Sequence, residues 1–137
     1  MRSHAQCHRM TRDELAAFDE ATLADAAADH GVTTERLTDI VRTHQSNVRE
    51  LPGVEDIVYE WRNYFHQDPL VGRTEGAYYL ALPDHVWAEF TDDLGLYETE
   101  RAALLAAHDA QARAAPSEAG VETGRLDGDA ALVLTRP

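Results

Sequence analysis

Leu37, Ile40, Val41, His44, Val48 and Leu51 recur at i, i+3, i+4 and i+7 spacing. That period lays one continuous stripe along a helix and does not fit a strand, whose faces alternate at every second residue. Helix breakers bound the stripe, with Gly31 before it and Pro52-Gly53 after it. The same punctuation repeats along the chain. Leu15, Phe18, Leu23, Ala26 and Ala27 form an earlier stripe from Thr11 to Asp29, and Gly31 supplies the left-handed stop. Val54, Ile57, Val58, Trp61 and Phe65 form a third, running to about His66. Val86, Trp87, Phe90 and Leu94 follow Pro83 and end at Gly95. Leu104, Leu105, His108 and Ala112 lie on one side of an alanine-rich segment from Thr99 to about Ala115.

Two short segments break the helical period. Ala77–Leu82 (AYYLAL) is aromatic and bounded by Gly76 and Pro83, and Ala130–Leu134 (AALVL) is apolar throughout. Each predicts a strand, and each is the other's obvious partner. Asp68–Gly76 reads as a loop from its turn residues. The expected fold is therefore mainly α: a single compact helical domain of about five helices with a minor two-stranded β element. Residues 1–10 are expected to be a disordered leader and 11–115 the helical domain with its strand near 77–82. Residues 116–128 read as a flexible link, and 129–137 as a C-terminal strand packed on the domain.

Charge narrows the setting. The 137 residues hold 12 arginines, no lysine and 25 acids, a net charge of −13. Such a surface repels itself at ordinary ionic strength, and molar salt removes most of that penalty by shortening the Debye length to roughly 3 Å. Arginine offers a planar fork that pairs both oxygens of a carboxylate, which lysine does not. This composition resembles that of salt-adapted haloarchaeal proteins, and the resemblance implies a halophilic acidic protein. High-GC codon usage explains missing lysine but not the acid excess. No basic patch of the kind that releases counterions from nucleic acid is visible, and an anionic membrane would repel this surface. No stretch has the ~20 apolar residues of a membrane-spanning helix and no signal peptide is recognisable. A single Cys7 rules out an intramolecular disulfide and fits a reducing, cytoplasmic location.

The first nine residues differ from the rest. They hold Arg2, Arg9, His4, His8 and Cys7 but no acid. Met10 is the expected natural start, since Thr11 with Glu14 reads as a capping box. His4-x-x-Cys7-His8 has soft ligands but no second half to complete four-fold coordination, so neither a metal nor a cofactor is expected.

Ala27, Gly31, Val32, Leu37 and Ile40 stand where a helix-turn-helix unit has its small residue, corner glycine, following apolar residue and two buried positions. Over about twenty residues the segment resembles such a unit. The resemblance implies a DNA-contacting face of Thr33, Thr34, Thr38, Arg42 and Arg49, with Glu35 and Asp39 placed badly for phosphates. A plain helical hairpin satisfies much of the same pattern.

Eight aromatic residues fall between Val54 and Phe90. Tyr59 and Tyr64 lie off the stripe of their helix, and adjacent Tyr78 and Tyr79 must point to opposite sides of a strand. With Arg62 and Arg73 nearby, Tyr59, Tyr64 and Tyr78 mark a candidate protein interface, for a partner or for self-association. Partial burial under the loop 67–76 is the competing explanation. His66 with Asp68, and His85 with Glu89 one turn later, are the candidate acid–base or metal pairs. Neither has a recognisable third partner, and no catalytic residue is assigned. The expected role is a non-enzymatic binding or regulatory protein acting through a protein interface, with DNA contact through the helix-turn-helix-like segment open. The alternative is a small hydrolase or metal-dependent enzyme using those two pairs.

Overall fold

The computed structural model describes residues 12–50 and 52–137. The leader, Met10, the Thr11 cap, the His4/Cys7/His8 cluster and Leu51 lie outside the described residues. The longest stripe forms its helix: Thr34–Glu50 (α2) buries Leu37, Ile40, Val41, His44, Gln45 and Val48. Thr33 caps it, its Oγ1 accepting the Arg36 N–H at 3.1 Å. The preceding helix (α1) spans Glu20–Asp29 and buries Leu23, Ala26 and Ala27. Gly31, with φ +70°, makes the corner between the two.

The first helix thus begins later than its stripe predicts. Residues 14–18 form turns, in which the Asp13 carboxylate accepts the Leu15 N–H at 2.8 Å. Asp19 then enters the helix tied to a distant element. Its N–H donates to Gln111 Oε1 at 2.9 Å, and Gln111 Nε2 donates to its carboxylate at 3.1 Å. Side-chain bonding of this kind by aspartate competes with the helical backbone bonds.

Val54–Tyr64 (α3) follows Gly53 and buries Val54 and Val58. Leu70–Arg73 (β1) turns back into Ala77–Leu82 (β2), which leads through Pro83 into Asp84–Leu94 (α4). Gly95, left-handed at φ +63°, ends α4. Glu98–Arg113 (α5) starts with Glu100 Oε1 accepting the Tyr97 N–H at 3.0 Å. After a 3₁₀ turn at Ser117–Ala119 and one helical turn at Thr123–Leu126 (α6), the chain returns as Ala130–Thr135 (β3).

The strands form one antiparallel sheet in the order β1-β2-β3. β2 pairs with β3 from Ala77↔Thr135 to Leu82↔Ala130. β1 pairs on the other side of β2, through Gly72↔Tyr79 and Arg73↔Tyr78, with an irregularity between Leu70 and Gly72. The fold is mainly α with three strands, not two. The extra strand is β1, inside the segment read as a loop. Its four residues are too short a run to show a period, and turn residues surround them. Residues 116–128 also differ from a loose link. Ala119 and Leu126 are buried, and the Glu122 N–H donates to the Val71 carbonyl at 3.1 Å.

The core lies between the sheet and the helices. α5 packs on β3 and touches α1 and α2. All six β2 residues are buried, as is β3 from Ala131 to Thr135.

Candidate functional site

The depressions on the outer side of α3 share one wall, the half-buried Phe65. On one flank Ile57, Trp61 and Tyr64 of α3 face His85, Val86, Glu89, Phe90 and Asp93 of α4 across a notch of about 330 Å³. On the other flank Tyr59, Arg62, Asn63, His66 and Asp68 line a second depression of about 370 Å³. Tyr59 and Tyr64 are 71% and 77% exposed. The helix stripe explains why. Val54 and Val58 turn inward with Ile57 and Trp61 beside them, which leaves residues 59 and 64 outside. The rings are held edge to face: Tyr64 and Phe65 at 5.1 Å between centroids, Trp61 and Phe90 at 6.2 Å.

Of the sequence-predicted interface residues, Tyr59, Arg62 and Tyr64 share this side of α3. Arg62 is engaged there, its Nη2 donating to the Asp68 carboxylate at 2.9 Å. Burial pushes that carboxyl up, but the Arg62 guanidinium and the Leu70 N–H outweigh it and hold the group below its ordinary value. Arg73 is exposed at the end of β1. Tyr78 does not reach the surface. It is 5% exposed, its hydroxyl donates to Glu55, and Arg136 stacks 4.6 Å from its ring centroid. Burial, then Glu55, raises its phenol above the ordinary value.

Four of the five candidate DNA-contacting residues bond or pair within the chain, while Thr33, Thr34 and Arg42 stay exposed. Thr33 caps α2, and Thr38 donates to the Thr34 carbonyl at 2.8 Å. Arg42 sits 3.5 Å from Asp13 and 3.8 Å from Glu14, and Arg49 donates to the Arg12 carbonyl at 2.7 Å. Thr34, Thr38 and Arg42 line one side of a groove of about 640 Å³ whose other side includes Leu15, Ala16, Phe18, Leu23 and Ala24. Glu35 and Asp39 are exposed.

The two candidate acid–base pairs are not brought together. His66 and Asp68 line the second depression, and His85 and Glu89 line the notch, with Phe65 between them. Among the described residues, no group of three or more His, Cys, Asp and Glu is placed to hold a metal ion. None of the helices among the described residues is long and apolar enough to cross a membrane.

A buried polar cluster escaped the sequence reading. β3 is an edge strand, and side chains from α2, α4 and α5 bond its free edge. Trp87 Nε1 donates to the Ala131 carbonyl at 3.1 Å, and the Val133 N–H donates to His108 Nδ1 at 2.9 Å. Gln45 closes the row, its Nε2 donating to the Val133 carbonyl at 2.7 Å and its Oε1 accepting the Thr135 N–H at 2.9 Å. Together they occupy backbone groups that would otherwise template another chain. His44 lies beside them, 5.2 Å from Trp87, 4.5 Å from Phe90 and 5.7 Å from His108 between ring centroids. Neither of its ring nitrogens has a partner among the described residues. Burial pushes His44 down to about 4; burial and then His44 push His108 well below the ordinary histidine value. Their place on apolar stripes predicts burial, but nothing in the sequence reveals which backbone groups they meet.

A family model described as a domain of unknown function (DUF8048) matches residues 16–136. That span runs from before α1 through the last residue of β3. The chain belongs to the DUF8048 family. No curated protein and no solved structure matches it. Within the DUF8048 match lie the α3–α4 notch, the groove residues from Ala16 onward and the β3-edge cluster.

Proposed function

We propose that the chain is a non-enzymatic binding protein that acts through the aromatic outer side of α3, against a protein partner. The observation that carries this reading is the exposure of Tyr59 and Tyr64 on either flank of Phe65, beside open depressions. Large aromatic side chains left in water next to concave surface suit protein contact, because they cover area at low conformational cost. The internal engagement of Thr33, Thr38, Arg42 and Arg49 favours this side of the molecule over a DNA-contacting α2. The hold of Arg62 on Asp68 favours binding over acid–base chemistry at His66. The acidic, lysine-free surface fits a cytoplasm rich in salt.

Purification from the source cell in molar KCl, followed by light scattering, tests the reading. A stoichiometric companion protein is expected, lost in Tyr59→Ala/Tyr64→Ala and kept in Arg42→Ala. A lone monomer, a companion indifferent to the tyrosines, or retention of DNA that depends on Arg42 would overturn it.

A further inference from the structure

We infer that the notch between α3 and α4 receives a cationic side chain, an arginine or lysine, presented by a basic segment of the partner protein. This rests on the protein-interface reading above and names the chemistry of the partner. The walls are aromatic: Trp61, Tyr64 and Phe65 on one side and Phe90 on the other. Such ring faces are electron-rich and attract a guanidinium or ammonium group within about 6 Å. Glu89 and Asp93 line the same notch one helical turn apart. Like charges at that spacing repel, so a cation placed between them is favoured over an empty site.

Among the described residues, none supplies that cation. Among the described residues, neither Glu89 nor Asp93 takes part in an ion pair. The nearby Arg62 is turned to Asp68 in the second depression. The remaining titratable groups of the lining are Tyr64 and His85, and His85 stands one turn before Glu89. The surroundings carry the same sign, with Asp56 and Glu60 exposed on α3 and Asp84 and Asp92 exposed on α4. A notch of about 330 Å³ has room for the planar head and part of the stem of one long side chain. Aromatic walls also suit strong salt. Hydrated potassium competes for carboxylates, but it does not replace the stem of a side chain lying along Trp61.

The full-length chain in 2 M KCl can be titrated with acetyl-Gly-Arg-Gly-amide and its neutral citrulline counterpart, following the Trp61 indole N–H by NMR. Saturable movement of that signal is expected with the arginine peptide, and at least tenfold weaker binding with citrulline. Glu89→Gln/Asp93→Asn should weaken arginine binding about tenfold while the remaining spectrum, including the buried Trp87 indole, stays in place. Glu118→Gln, an exposed acid that lines neither depression, should leave it unchanged. Equal binding of citrulline, full binding by the double variant, or no saturable shift at all would each overturn the inference. A companion protein lost in Tyr59→Ala/Tyr64→Ala but kept in Glu89→Gln/Asp93→Asn would overturn it too, and would leave the interface reading standing.

Discussion

His44 and His108 are neighbours in one core, yet only one of them has a partner. His108 Nδ1 accepts the Val133 N–H, so its neutral ring carries its proton on Nε2. His44 fills space among Trp87, Phe90 and His108 with both nitrogens unbonded among the described residues. Burial places the folded-state pKa of His44 at about 4, below the ordinary value of 6.5. As pH falls through that interval, the unfolded chain takes up the proton first. The stability that depends on a neutral His44 is therefore complete above pH 6.5 and drains away down to about pH 4. A difference of this size is worth on the order of 3 kcal/mol, a large share of a small domain's stability. His108 is displaced in the same direction and adds to the loss. Urea unfolding at pH 7 and pH 4.5 should show a marked fall in midpoint for the parent chain. His44→Phe keeps an aromatic ring without a titratable nitrogen, so it should hold its pH 7 stability and lose a clear part of the acid-induced fall. An acid response identical in the two would refute the assignment.

At the level of elements, the sheet is protected at both edges by different means. The free edge of β3 is bonded by Trp87, His108 and Gln45, whereas β1 is covered by the chain between α5 and β3. That covering needs Gly72. A Cβ there would come within 2.7 Å of Val121 Cγ2 and 2.9 Å of the Ala119 carbonyl oxygen. Backbone cannot retreat cheaply, so Gly72→Ala should destabilise by roughly 1–3 kcal/mol, read as a lower urea midpoint. Gly128→Ala, whose Cβ would meet nothing within 4 Å, is the control and should be close to neutral. The same contrast explains what could be read in advance. Stripes long enough to repeat announced α2 to α5, and the match of two short apolar runs announced the β2–β3 pair. Leu70-Val71-Gly72-Arg73 was too short to repeat, and its place as a strand comes from β2 and from residues 119–122, distant in the chain. The exposure of Tyr59 and Tyr64 was legible because a helix has one buried stripe. Tyr78 is buried instead, because alternation along a strand leaves a face open only if nothing covers it. Here Glu55 from α3 and Arg136 from beyond β3 cover it.

For the molecule as a whole, the ledger of charge decides how the chain must be handled. Among the described residues, six arginines hold carboxylates: Arg12, Arg36, Arg42, Arg62, Arg113 and Arg136. The Arg36–Glu100 pair is the most sheltered on its acid side, and the Arg36 guanidinium, then the Tyr97 N–H, hold that carboxyl below its ordinary value. The others lie at the surface, where such pairs contribute about 0–1 kcal/mol each. They cannot offset the repulsion among the remaining acids of a chain with net charge −13. Screening can: the Debye length falls from about 10 Å at 0.1 M to about 3 Å at 1 M salt. The thermal midpoint should therefore rise steeply between 0.1 and 2 M KCl. Salt also strengthens apolar burial when its ions are excluded from the surface, so a rise by itself does not isolate charge. Charge removal separates the two. Glu60, Asp92 and Glu118 are exposed and make none of the ion pairs among the described residues. Glu60→Gln/Asp92→Asn/Glu118→Gln should raise the midpoint in 0.1 M KCl, leave it nearly unchanged in 2 M KCl, and so flatten the salt response. Parallel curves for the two chains would assign the response to burial and remove self-repulsion as its cause.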